Sequence, residues 1–175
     1  MTDALAALPD ERLRTVNLWV VGLANPDGAS RGTRTNGHGV DLNRNFPAHW
    51  QPLGGLGDVH YAGPTAASEP ETVAMVDLLR TLRPAVGIWF HQHLALVDTS
   101  EGPAIPEDAL ADALHLPETG LTDYPGSATG FENTLAPRSG FVVELPAGRL
   151  SSSAVQAAVG AILSMHPAAA IPGPR

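Results

Sequence analysis

Three runs of this chain are continuously apolar and rich in strand-forming residues: VNLWVVGL (16–23), AVGIWF (85–90) and GFVVELP (140–146). Each is about strand length and lacks the alternation of a half-exposed strand, so each reads as a buried strand covered on both faces. The covers are helical patterns in the intervening sequence. Residues 3–14 place Leu5, Leu8 and Leu13 on a short amphipathic helix broken near Pro9, residues 106–115 form a second short helix, and Ser151–Met165 a last one. Between 68 and 84, Ser68 and Glu71 have the spacing of a capping box, Val73, Val76, Leu79 and Leu82 make an apolar face, and Pro84 follows the stop. Strands alternating with helices predict an α/β class, a single domain with a mixed, largely parallel sheet flanked by helices. We expect that domain to span residues 1–167 and the tail, 168–175, to be disordered.

Sheets of this class carry their sites at strand ends and in the adjoining loops. Three strand ends here run into polar sequence, at Asn25, His91 and Glu144. The segment from Asn25 to about residue 67 is rich in Gly, Pro and Asn without periodicity, a length of loop that is usually functional or disordered.

The formal net charge is −8, which argues against a nucleic-acid or anionic-membrane surface; an anion site in this chain must be local, built from a few arginines. The absence of cysteine excludes disulfides, thiolate metal sites and a cysteine nucleophile. No stretch reaches the roughly 20 apolar residues of a membrane span, and the first residues do not read as a signal peptide. Localisation and oligomeric state leave no trace in the sequence.

Four positions or groups could carry chemistry. His91 and His93 form H-x-H on an extended segment, with both rings on one side, a metal-ligand spacing that two polar residues leaving the core would share. Glu144 lies inside FVVEL, where an unpaired carboxylate costs several kcal/mol, on the order of other buried charges; it is paired, at the rim, or a general base. Arg34, Asn43 and Arg44 lie in RTNGHGVDLNRNFP (34–47), where guanidinium forks and amides suit a carboxylate, while Asp41 could neutralise a neighbouring arginine. His38, His49, His60, His115 and His166 have no partner at metal spacing and read as surface or loop residues. His115 and Glu118 form H-x-x-E, but Pro117 breaks the helical geometry that motif needs.

In chain order, NPDG (25–28), RTNGHGVDLNRNFP (34–47), FHQHLALVD (90–98), YPGS (124–127) and VVELP (142–146) resemble the zinc carboxypeptidase family, in particular its bacterial branch acting on small cell-wall peptides. The resemblance implies zinc-dependent hydrolysis of a peptide or amide bond next to a C-terminal carboxylate. By position it gives Arg34 the polarisation of the scissile carbonyl and Asn43 and Arg44 the substrate carboxylate. His91 is matched to a zinc ligand and Glu144 to the general acid/base. His93 has no ligand role in the family pattern, and Tyr124 at most a supporting one.

The chain departs from the family pattern in one respect. Two further zinc ligands of the family come from an upstream H-x-x-E motif, and none precedes residue 25. The resemblance therefore implies an N-terminally truncated form of the fold. Its Zn²⁺ would be expected in the full-length protein and held weakly here, with activity impaired. Two readings compete: an inactive protein that still binds peptide carboxylates, and a phosphate-anion binder using Arg34 and Arg44. The second lacks a Gly-rich strand-to-helix phosphate loop.

Overall fold

The computed structural model of the chain describes residues 2–14, 16–100 and 105–165, so the expected tail at 168–175 lies outside the described residues. The class is α/β, as expected, with a mixed four-stranded sheet. In chain order the elements are α1 (Thr2–Ala6), α2 (Pro26–Arg31), α3 (Pro70–Leu82), β1 (Gly87–Gln92), β2 (Leu96–Asp98), α4 (Ile105–Leu114), β3 (Glu118–Thr119), α5 (Ala128–Leu135), β4 (Gly140–Leu145) and α6 (Ser152–Ser164). Single turns of 3₁₀ helix lie at Asp10–Leu13 and Leu42–Arg44. The sheet order is β1-β4-β2-β3; β2 runs parallel to β3 and antiparallel to β4, with Leu96 opposite Glu144 and Val97 opposite Val143.

The chain gathers into two compact units. Among the described residues, one draws on those up to Gly22, Ile88–Leu121 and Phe141–Met165; the other on Leu23–Gly87 and Thr122–Gly140. In the first, Phe141–Leu145 of β4 are all buried, as the continuous apolar run predicts. Val97, Val143, Leu110 and Ala158 are fully enclosed, each large aliphatic side chain contributing about 1.5–3 kcal/mol by leaving water. Helix α6, capped by the Ser151 hydroxyl on the Ala154 N–H, packs against α4 and α1. In the second unit, α3 packs against α5, the Phe46 and Phe131 rings meet at 6.0 Å between centroids, and Val40, Val76 and Leu79 are buried.

Four expectations are corrected. The run at 16–23 is not a buried strand: it has no ladder partner among the described strands, and Trp19 and Leu23 are 67% and 57% exposed. A strand needs a neighbour, which local composition cannot supply. The run at 85–90 does give β1, but as a half-buried strand at the sheet edge that reaches through His91 to Gln92. The stretch after Asn25 is not all loop. Asn25 caps α2 by accepting the Gly28 N–H at 2.9 Å, Pro26 occupies the first turn, and Gly32 ends the helix in the left-handed region. Finally, the capping box at the start of α3 does not form. Glu69 occupies the cap position, and the Ser68 hydroxyl donates to its carboxylate at 2.8 Å instead of accepting from the helix.

Candidate functional site

In the second unit the site is built around the turn Leu42–Arg44. Asp41 caps this turn, its Oδ1 accepting the Asn43 N–H at 3.1 Å. The same carboxylate accepts Arg34 Nε–H at 2.7 Å, so the pairing raised by the sequence is formed. The structure thus brings Arg34, Asn43 and Arg44 together through Asp41.

Arg44 is 6% exposed. Its Nη1 donates to the Asn43 carbonyl at 2.7 Å, while its Nε–H is buried and meets no hydrogen-bond partner among the described residues. The Tyr124 ring covers the guanidinium, 4.1 Å from carbon to centroid. Burial lowers the Arg44 pKa below the usual guanidinium value; Asp41 opposes the shift and Arg34 adds to it. Arginine starts so high that the group stays charged at neutral pH. A buried, charged donor without an acceptor is costly unless a ligand supplies one. Asn43 presents the complementary group: its Oδ1 accepts the Ala128 N–H at 2.8 Å, which turns the amide NH₂ away from α5.

The YPGS loop is held close by its glycine. Gly126 has φ +74°, its N–H donates to Ala48 O and its carbonyl accepts the Phe46 N–H, both at 3.0 Å. A Cβ at Gly126 would collide with the Arg44 carbonyl oxygen, so no other residue permits this approach.

A second network, which the sequence did not announce, anchors the loop from beneath. Glu69, 3% exposed, accepts from Asn36 Nδ2 at 2.8 Å and Ser68 Oγ at 2.8 Å, with His38 Nδ1 at 2.7 Å. Asn36 Oδ1 takes the His38 and Val40 N–H groups, and Asn45 Oδ1 takes the Glu69 N–H. Burial alone would raise the Glu69 pKa, but the hydrogen bonds from Asn36, Ser68 and His38 outweigh it and hold the carboxyl below its ordinary range. His38 and His60 are exposed, as expected of loop residues, yet each faces a buried carboxylate: Glu69, and Asp41 at 3.3 Å. The only signal for these pairs was the local density of His, Asn and acid residues.

In the first unit, adjacent strands β1 and β4 set His91 Nδ1 3.6 Å from Glu144 Oε1. The Leu94 N–H approaches Glu144 Oε2 at 3.5 Å, a long contact. Glu144 is 8% exposed, and His91 also lines an open cleft of about 540 Å³ floored by Phe90, Leu145 and Val155. His93 is exposed.

Three comparisons with known proteins bear on these residues. A family model described as zinc carboxypeptidase matches residues 10–97. Murein peptide amidase A of Escherichia coli strain K12 is 38% identical over 121 residues, 62% of this chain and 50% of that protein. Murein peptide amidase A of Vibrio campbellii is 35% identical over 142 residues, 73% of this chain and 55% of that protein. The chain spans about half the length of the curated relatives it matches. Among solved structures, the murein-tripeptide amidase of Escherichia coli O157 has a TM-score of 0.68 at 30% identity, covering 83% of this chain and 67% of that one. The carboxypeptidase A of Helicoverpa armigera shares the fold, with a TM-score of 0.63 at 19% identity, over 82% of this chain and 51% of that one.

The matched family implies zinc, and the donors present can be tested against it. A catalytic zinc site takes three protein ligands. Among the described residues no group of three or more His, Asp or Glu side chains is placed to hold a metal. His91 looks toward Glu144 within its unit, and those two groups do not complete a coordination shell. The described residues therefore do not fit a zinc site by themselves.

Proposed function

The chain belongs to the zinc carboxypeptidase family, and on that premise we propose that it serves hydrolysis of a peptide or amide bond next to a C-terminal carboxylate, of the murein-peptide-amidase type. The observation that carries this reading is Arg44: buried, charged, stacked under Tyr124, and with an Nε–H that has no acceptor among the described residues. In this reading a substrate carboxylate accepts from the Arg44 guanidinium and the Asn43 amide, a charge-assisted and planar match. Arg34, held through Nε, turns its terminal NH₂ groups to the oxygen that gains charge as the bond is attacked. Glu144 holds and returns the proton. The peptide amidase class is supported by the names of the relatives, which act as amidases on murein peptides by those names, and the substrate is a peptide with a free carboxylate.

The metal part is proposed separately. With one family-matched ligand, His91, we propose that these 175 residues hold zinc weakly and turn over little. The donor set supports this, and it favours a second reading: a protein that binds peptide carboxylates without cleaving them. Elemental analysis of the purified chain, run beside a peptide-hydrolysis assay with added Zn²⁺, separates the two. Weak zinc with product released once Zn²⁺ is added supports the impaired hydrolase, and no product at any added Zn²⁺ favours the binding protein. Stoichiometric zinc with turnover refutes impairment and leaves the hydrolase.

A further inference from the structure

The loop from Leu53 to Ala62 is closed by its own backbone. The Ala62 N–H donates to Leu53 O at 2.9 Å, the Asp58 N–H to Gly55 O at 2.9 Å and the Tyr61 N–H to Asp58 O at 3.2 Å, while Asp58 Oδ1 accepts the His60 N–H at 2.8 Å. Gly54 and Gly57 supply positive φ angles, +63° and +98°, that favour glycine on so tight a path. None of these bonds uses an apolar side chain. Yet, among the described residues, the loop shows three to solvent: Leu56 is 81% exposed, Val59 is 59% exposed, and Leu53 is exposed as well. Single apolar residues are common on any surface, but three within seven positions of one fixed loop are a candidate contact surface. The one acidic side chain of the segment, Asp58, is turned back onto the His60 N–H.

The loop borders the site. His60 Nδ1 lies 3.3 Å from Asp41 Oδ2, the oxygen that accepts Arg34 Nε–H, so the end of the loop and Arg34 meet at one atom. Leu56 lies beside Gly39, where a Cβ would stand 3.2 Å from Leu56 Cδ1. We propose that Leu56 and Val59 are specificity-determining residues, an apolar rim that receives the side chain of the peptide's penultimate residue. This rests on the reading of Asn43 and Arg44 as the carboxylate clamp. With the terminal carboxylate there and the scissile carbonyl at Arg34, that carbonyl belongs to the penultimate residue. Its side chain branches from the adjoining carbon, within reach of the loop that joins Arg34 at Asp41. Aliphatic groups on a fixed backbone favour an aliphatic side chain, because apolar surface on both partners leaves water and no loop has to be ordered first.

The test is calorimetry with two probes that differ only in the penultimate side chain, N-acetyl-dialanine and N-acetyl-leucyl-alanine. The native chain is expected to bind the leucine probe about fivefold tighter, the scale of a partly covered isobutyl group. With Leu56→Ser and Val59→Ser together, that preference is expected to fall below about twofold. No preference in the native chain, or a preference that survives both substitutions, overturns the proposal. Arg44→Ala guards the premise. If that variant binds both probes as the native chain does, or if the native chain binds neither, the clamp reading fails and the rim with it. If Arg44→Ala loses both probes while the preference is absent or survives the two loop substitutions, only the rim fails. Should the double variant not fold, NMR of the native chain saturated with the leucine probe decides. Nuclear Overhauser contacts between the probe's leucine methyls and those of Leu56 or Val59 support the rim, and their absence overturns it.

Discussion

Tyr124 lies over Arg44 with 4.1 Å between the guanidinium carbon and the ring centre, and it does so from the loop that Gly126 pins to the Arg44 backbone. The stack holds the guanidinium plane and keeps water from one of its faces. A cation–π contact of this kind is worth about 0.5–2 kcal/mol. Tyr124→Ala is therefore expected to weaken a carboxylate ligand about threefold or more, and Tyr124→Phe to leave it nearly unchanged, as measured by calorimetry. Equal losses in both variants would assign the effect to the hydroxyl and not to the ring.

Among the described residues, Glu144 is buried in β4 with long polar contacts, 3.5 Å from the Leu94 N–H and 3.6 Å from His91 Nδ1. Among these contacts nothing compensates fully for a buried charge, which agrees with the chemical role proposed for Glu144 and not with a stabilising one. Glu144→Gln retains the shape and removes the charge. Its unfolding free energy is expected to stay level or rise by up to about 2 kcal/mol, checked by urea denaturation. A large loss would mark Glu144 as a structural residue.

Glu69 predicts the opposite behaviour. Hydrogen bonds from Asn36, Ser68 and His38 favour its charged form in the fold and place its pKa below the ordinary 4.5. A lowered folded pKa means that the stabilisation is complete above the unfolded value and is lost as pH falls through the folded one. Glu69→Gln is expected to cost about 1–3 kcal/mol at neutral pH, since one amide cannot accept from three donors. The difference from the native chain should shrink on acidification below about pH 4.5. Urea unfolding at pH 7 and pH 3 tests both signs; a gap that widens in acid contradicts the account.

Much of this could be read from residues alone, and the failures have a common cause. The run at 140–146 and the run at 16–23 look alike in composition, yet β4 is wholly buried and Trp19 stands in solvent. Burial of a strand depends on a neighbouring strand, which no local window contains. Strands β2 and β3, of three and two residues, are too short to have a pattern. Ser68 and Glu71 had the spacing of a cap, but the buried Glu69 carboxylate competed for the Ser68 hydroxyl and took it. Asp41 was visible as a partner for an arginine; that it also caps Asn43 and faces His60 required three dimensions. The assignment of His91 and Glu144 came from family resemblance, and the structure adds that strand pairing sets them side by side.

The central claim is that Asn43 and Arg44 read a free carboxylate at the end of a peptide. Its most direct test is calorimetry with a matched pair, N-acetyl-dialanine and the same peptide with its carboxylate converted to the amide. The account predicts measurable binding of the acid, lost in Arg44→Ala, and at least about tenfold weaker binding of the amide, the scale of one lost charge-assisted pair. Equal affinity for acid and amide, or binding of the acid that survives Arg44→Ala, would contradict it.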